Sequence, residues 1–346
     1  MNKPVISSAQ SIIDGMGNFD LVHEQIEILK NNGIPVTEFI IDPLKTGWDS
    51  EILPNHFRSG ASPITALEKA YEFIVKEEKN VVLITGRDYL KSEYSPEERR
   101  DLMEIYPGTT IPNVYNELAL AYIKENNLTE NDFKHIAEKI FENYQRSAKA
   151  RGIKYQSSEK WYNFITTLFR GVDIANPVVD FHAKVLIVSD DLYKKYFKSD
   201  NAVKLTGVSC VKLGADGPDA IEKIVKYGHL KTTYNKACEM AGIDFNNEFK
   251  NNNAFLEIYT CFPVVPLAFM QKTGLASNKE ELLQFLENYE ITVTGGMNLA
   301  KAAFNNPVLN ALVVMFEKLQ ESDYKYGLVH GNGGLGYQQG AAIMEK

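Results

Sequence analysis

The sequence predicts an α/β protein made of two similar α/β halves around buried central helices. Three observations carry this. Strand-like apolar runs alternate with helical stripes along most of the 346 residues. A stripe and the strand after it occur twice. Ile64, Leu67, Tyr71, Ile74 and Gly86 recur as Leu309, Leu312, Phe316, Leu319 and Gly331, each 245 positions later (64 to 309, 86 to 331). Spacings of three and four put the four apolar residues on one helix face. A stripe before a strand is common in α/β proteins, so chance is the alternative to duplication. Third, the chain closes with a strand, a glycine loop and a second strand, Gly327 to Glu345.

The elements follow in order. Lys3–Ser8 reads as a strand, and Leu21–Asn31 as a helix closed by Asn32-Gly33. Val36–Ile41 is a strand. Ser59–Pro63 is a turn, with Pro63 suited to a first helical turn. The connector KEEKN leads from that helix to the strand VVLIT. From Glu98 to Val178 the chain turns polar and helix-rich, and one helix opens at Thr129 with Asp132 three residues later, a capping-box pattern. Strands return at Val179–Ser189 and Val203–Leu213. A helix over 221–241, a strand at Phe255–Thr260, a helix, a strand at Ile291–Thr294 and a helix from Pro307 lead to the tail.

This length exceeds one core, so two units are expected: residues 1–200, with a helical lid inserted at about 98–178, and residues 201–346. A net charge of -8 argues against a general nucleic-acid or membrane surface, yet leaves room for a local basic site for a phosphorylated ligand. The three cysteines, Cys210, Cys238 and Cys261, are scattered, and no metal-ligand spacing occurs, so no metal is expected. Few cysteines and no leader-like apolar segment point to a cytoplasmic protein, and no apolar run is long enough for a membrane helix.

The tail cluster Gly331-Asn332-Gly333-Gly334-Leu335-Gly336 happens to fit G-x-G-x-x-G. A dinucleotide fingerprint needs a helix after the glycines and an acidic residue about 20 positions on. Only ten residues follow Gly336, and they read as turn and strand. That excludes the fingerprint and leaves a loop whose backbone can approach a ligand closely.

Four segments together resemble the thiolase superfamily: RSGASPITALEKAYEFIVKEEKNVVLITG (58–86), LEIYTCFPVVPLAF (256–269), ITVTGGMNLAKAAFNNP (291–307) and the tail. NPVVDFHAKVLIVS (176–189), with His182, is a weaker fifth match. Tyr-Thr-Cys-Phe-Pro, Thr-Val-Thr-Gly-Gly and Asn-Gly-Gly are similar to the boxes of the acetyl-CoA acetyltransferase-like, sterol-carrier-protein type of thiolase. The resemblance implies a thiolase-like fold, layered αβαβα, and a pocket where Ser59, Tyr259, Gly295-Gly296 and His330-Gly331-Asn332 converge. In the same alignment the nucleophilic cysteine is replaced by Ser59, with Ser62 nearby. The catalytic histidine is replaced by Ala302 and the second cysteine by Gly331. Ser59 and Ser62 read equally as helix caps, Cys261 as packing, and His330 as a structural histidine.

The resemblance therefore implies an acyl-CoA-binding protein with non-standard residues. One reading is an acyl-CoA-dependent acyltransferase or thioesterase-like enzyme using Cys261 or His330 in non-standard roles, with Tyr259 as the third candidate catalytic residue. The alternative is a non-catalytic thioester-binding subunit with a small acyl-CoA-binding partner. Ser59, Ser62, Gly295, Gly296, Asn332, Gly333 and Gly334 are the implied binding residues, with Gly295-Gly296 and Gly333-Gly334 offering N–H groups to a thioester oxygen. No tightly bound cofactor is implied, coenzyme A thioester being a substrate. A homodimer pairing the edge strand near Leu53–Phe57 is the family expectation.

Overall fold

The computed structural model describes residues 2–155, 158–197, 202–301 and 303–346. The first half runs β1 (Pro4–Ile13), β2 (Met16–Gly17), α1 (Asp20–Asn31), β3 (Thr37–Ile41), β4 (His56–Phe57), α2 (Ser62–Val75) and β5 (Val81–Tyr89). The lid helices α3 (Pro96–Leu102), α4 (Ile111–Glu125) and α5 (Glu130–Ala150) come next, then β6 (Asp180–Ser189) and α6 (Asp190–Tyr196). The second half contains β7 (Val203–Lys212), α7 (Ile221–Ile224), α8 (Gly228–Ala241), α9 (Phe245–Lys250), β8 (Ala254–Glu257), α10 (Val264–Thr273), α11 (Lys279–Asn288), α12 (Pro307–Glu321), β9 (Tyr326–Gly333) and β10 (Gln338–Glu345). The expected boundary at residue 200 falls among residues 198–201, outside the described residues.

The two halves share one topology. In the first, β3 pairs parallel with β5, β5 antiparallel with β6, and β6 antiparallel with β1. In the second, β8, β9, β10 and β7 repeat that order and those directions. The half-sheets join where Val5 and Ile6 pair with Lys204 and Val203. The central helices α2 and α12 touch each other and strands of both half-sheets. The spacing of 245 therefore marks a duplicated helix–strand unit, α2–β5 and α12–β9.

Burial explains the patterning. β5 is covered on both faces, so its sequence is an unbroken apolar run rather than an alternation. Val82 and Ile84 join the main core, whereas Val81 and Leu83 pack with Val22, Ile26 and Leu29 of α1. In the second half Gly207 of β7 faces α8: a β-carbon there would meet the Ala237 main chain, at 3.0 Å from its carbonyl carbon. Cys210, three residues on, faces α2, its sulfur 3.3 Å from Thr65 Oγ1. The layers are thus α1, half-sheet, α2 with α12, half-sheet, α8.

Three expectations are corrected. Ile291–Thr294 is not a strand. It runs beside β8, but the Glu257 carboxylate takes the place of a partner strand, accepting the N–H groups of Val293 (2.6 Å) and Thr294 (2.9 Å). The helix over 221–241 breaks at Tyr227, which is left-handed with φ 48°. The helix preceded by Ser59 is not capped by a serine: Ala61 stands at its N-cap, and no side chain caps it. The capping box at Thr129 and Asp132 is formed as expected. The edge strand near Leu53–Phe57 shortens to the two residues of β4, with Ile52 and Leu53 exposed beside it. Among the described residues no helix is long and apolar enough to cross a membrane.

Candidate functional site

A cavity of about 640 Å³ opens between the lid and the loops that leave the carboxyl ends of β8 and β9. Its walls are mostly apolar side chains, including Met103, Ile105 and Ile111 of the lid and Phe262 and Met297 of the second half. A few polar groups converge on it: Tyr259, Cys261, Asn332 and Tyr115. Such a pocket, apolar with few placed polar groups at strand ends, is the usual form of a small-molecule site.

Tyr259 follows β8, and its ring stands over the turn that precedes α2. Gly60 in that turn allows the approach: a β-carbon on it would lie 2.8 Å from Tyr259 Cζ. The Tyr259 hydroxyl has no hydrogen-bond partner among the described residues, and the side chain lines the cavity. Burial pushes its phenol well above the usual range. It is a neutral donor, not a base.

Behind Tyr259 runs a directed chain of hydrogen bonds. The Tyr259 N–H donates to His330 Nδ1 (3.3 Å), so the imidazole carries its proton on Nε2 and donates to Gln339 Oε1 (2.8 Å). Gln339 Nε2 donates to Asn332 Oδ1 (2.6 Å), and Asn332 Nδ2 donates to Tyr115 Oη (3.0 Å). Tyr115 donates to the Gly334 carbonyl (2.7 Å). Both nitrogens of His330 are thus committed, the ring is 1% exposed, and burial lowers its pKa to about 4. His330 does not line the large cavity. It holds Asn332 in place through Gln339, and the acid/base role expected for it has no free nitrogen to act through.

Cys261 lines the cavity, but its sulfur is not a ready nucleophile. Sγ donates to Tyr115 Oη (3.5 Å), and burial pushes the thiol up to about 12. The thiolate is the reactive form, and among the described residues no cation or base stands by to generate it.

The remaining expected residues divide. Asn332 and Gly334 are on the cavity wall. Gly334 has φ +55°, and a β-carbon on it would lie 2.6 Å from Asp216 Cγ, so the position needs glycine for its backbone as much as for the pocket. Gly333 ends β9 against Ser59. Ser59 is fully buried with φ 137°, a strained conformation for a residue with a side chain. Its hydroxyl turns away from the cavity and donates to Gln338 Oε1 (2.8 Å), which is no base. Ser62 is buried with its hydroxyl unpartnered. Gly295 and Gly296 stand apart, packed on Ala148 and the Tyr144 ring of α5. Their N–H groups are spent on Thr292 Oγ1 (2.8 Å) and Thr294 Oγ1 (3.2 Å), so neither is free for a thioester oxygen. Ala302 lies outside the described residues. His182 is remote, on the outer sheet face, its ring 4.6 Å from that of Phe19.

Sequence reasoning missed the lid's share of the site. Tyr115 of α4 receives both Asn332 and Cys261 and stacks on Phe262 with ring centroids 4.0 Å apart. Tyr106 donates to Asp216 Oδ2 (3.1 Å), whose other oxygen accepts the Leu335 N–H (2.9 Å). Two phenols thus fasten the lid to the glycine loop. Nothing in the lid sequence marks them, because their partners lie more than 100 residues away. Among the described residues no three metal-ligating side chains come together.

No family model and no curated protein matches the chain. Solved structures do. A monomeric SCP2-thiolase-like protein type 1 from Mycobacterium smegmatis aligns with TM-score 0.74 and 19% identity, over 99% of this chain and 77% of that one. An Ltp2–ChsH2(DUF35) aldolase aligns with TM-score 0.66 and 13% identity, over 99% and 97%. An acetyl-CoA acetyltransferase from Syntrophomonas wolfei aligns with TM-score 0.63 and 13% identity, over 99% of both chains. The chain has the thiolase fold.

Proposed function

We propose that this thiolase-fold chain binds an acyl thioester of coenzyme A in the cavity, with the thioester oxygen on the Tyr259 hydroxyl, and forms no acyl-enzyme. One observation carries the reading. The cavity offers an unpartnered phenol donor at the point where its polar groups converge, while the one cysteine among its described lining residues is held as a thiol. A hydrogen-bond donor polarises a carbonyl, but acyl transfer also needs a nucleophile. Ser59 faces Gln338 and Cys261 faces Tyr115, so the wall supplies none.

A second reading makes the chain one component of a larger assembly with a small partner subunit. It is favoured by the fold shared along 99% of the chain with a protein described as an Ltp2–ChsH2(DUF35) aldolase. Pairing of two copies through β4, where Ile52 and Leu53 are exposed, belongs to this proposal as well. Light scattering distinguishes a dimer from a monomer.

Mass spectrometry after incubation with butyryl-CoA tests the main reading. The protein mass is expected to stay unchanged while calorimetry registers binding. An acyl adduct on Cys261 or Ser59 would replace this reading with covalent acyl transfer.

A further inference from the structure

The outer face of the first half-sheet, opposite the face that α2 covers, carries a second concave surface. It is a groove of about 640 Å³ beside α1, floored by Ile26, Val36 and Leu83. Lys184 of β6, Glu38 of β3 and His23 of α1 stand on its walls. The Lys184 ammonium donates to His23 Nε2 (2.8 Å) and lies 4.9 Å from the centre of the Phe19 ring. Among the described residues neither Lys184 nor Glu38 has an ion-pair partner, and the two act on each other only from beyond ion-pair distance. The other charges nearby are matched. Lys30 pairs with Glu27 (3.0 Å), and Arg87, opposite His182 in the β5–β6 ladder, pairs with Glu93 (2.5 Å). His182 stays neutral: burial, then Lys184, Arg87 and His23, lowers its pKa to about 4.

One ammonium and one carboxylate are thus left apart over an apolar floor. Burial lowers the Lys184 pKa from its ordinary value, and Glu38 offsets this only in part, so the ammonium lacks a counter-ion of its own. The net charge of -8 works against a free anion here. A ligand that carries both signs meets both charges and feels no net repulsion. We propose that this groove binds a free α-amino acid with an apolar side chain, its carboxylate on Lys184, its ammonium on Glu38 and its side chain over Ile26, Val36 and Leu83. The groove's volume is that of a small-molecule site. It lies across the sheet from the central helices and does not depend on how the cavity at Tyr259 is read.

The test uses three small molecules with one branched apolar body and different charged ends: leucine, 4-methylpentanoate, which lacks the ammonium, and 3-methylbutylamine, which lacks the carboxylate. Each is titrated into the full chain, and backbone amide NMR shifts report both affinity and place. Leucine is expected to move amides around Ile26, Leu83 and Lys184 and to leave those around Tyr115 unmoved. Each singly charged analogue should bind about tenfold more weakly, the scale of one hydrogen bond to a charged group. Glu38→Gln should remove the advantage of leucine over 4-methylpentanoate, and Lys184→Gln its advantage over 3-methylbutylamine. The ligand series on the unaltered chain stands even where a variant folds poorly. No shift with leucine, shifts confined to the lid, or equal affinity for the three molecules overturns the site.

Discussion

Gly331 of β9 lies directly against Ala61, the residue at the start of α2: a β-carbon on Gly331 would stand 3.1 Å from the Ala61 Cα and 3.3 Å from Ile64 Cγ1. The counterpart 245 positions earlier does the same in reverse. Gly86 of β5 lies against Asn306 at the start of α12, and a β-carbon there would stand 2.8 Å from Leu309 Cδ2. Each half thus carries, in its central strand, the glycine that admits the head of the other half's central helix. The halves interlock reciprocally, which is why both glycines belong to the repeated pattern. Gly86→Ala and Gly331→Ala are each expected to destabilise the protein by about 1–3 kcal/mol, the usual cost of overpacking a filled core. Denaturant melts measure this. A neutral effect at both positions would mean that the contact is not tight.

His330 is expected to stay neutral well below ordinary histidine range. Its pKa falls from 6.5 to about 4 because burial disfavours the charged ring. The unfolded chain then binds more protons than the folded one between those values. The stability from a neutral His330 is therefore complete above pH 6.5 and is lost as pH falls toward 4. Nitrogen NMR of the ring should show Nε2 protonated and Nδ1 bare at pH 5.5. A doubly protonated ring at that pH would break the assignment of the chain through Gln339.

Glu257 works in the opposite direction. Burial raises its pKa from 4.5 to about 7, offset in part by the Thr294 hydroxyl and two N–H groups. The folded chain binds more protons than the unfolded between those values, so this contribution weakens as pH rises from 4.5 to 7. Glu257→Gln should remove that slope, and the variant should gain on the unaltered chain as pH rises through this window. Melts at a series of pH values check it. Parallel curves would show that Glu257 ionises normally.

Tyr115 holds Gly334, Asn332 and Cys261 at once. Tyr115→Phe should cost about 1–3 kcal/mol, because a buried carbonyl and a buried amide lose their partner together. It should also speed labelling of Cys261 by iodoacetamide, since the lid loses one of its two phenol fastenings. An unchanged labelling rate would place the lid's grip elsewhere.

The helix–strand unit around Ile64 and Leu309 was legible because its apolar stripe and its strand both answer to burial, and burial writes itself into period and spacing. The strand expected at Ile291–Thr294 was not, because Glu257, distant in sequence, supplies the acceptors that a neighbouring strand would have offered. Half of the residues expected at the site reach the cavity. Tyr259, Cys261, Asn332 and Gly334 sit in motifs and line it, whereas Gly295 and Gly296, in equally clear motifs, pack on α5, and His330 is committed to hydrogen bonds behind the wall. Glycine marks close approach without saying what approaches. Tyr115 and Tyr106 escaped because an inserted lid has no period that distinguishes a wall residue from a surface one.

The central claim is that Tyr259 holds a thioester without a covalent step. Calorimetric titration of butyryl-CoA into the unaltered chain and into Tyr259→Phe tests it most directly. The substitution removes one hydroxyl from a cavity whose shape is otherwise kept. Binding by the unaltered chain and roughly tenfold weaker binding by Tyr259→Phe is the predicted result, matching the loss of one buried hydrogen bond. Equal affinity for the two proteins would contradict it.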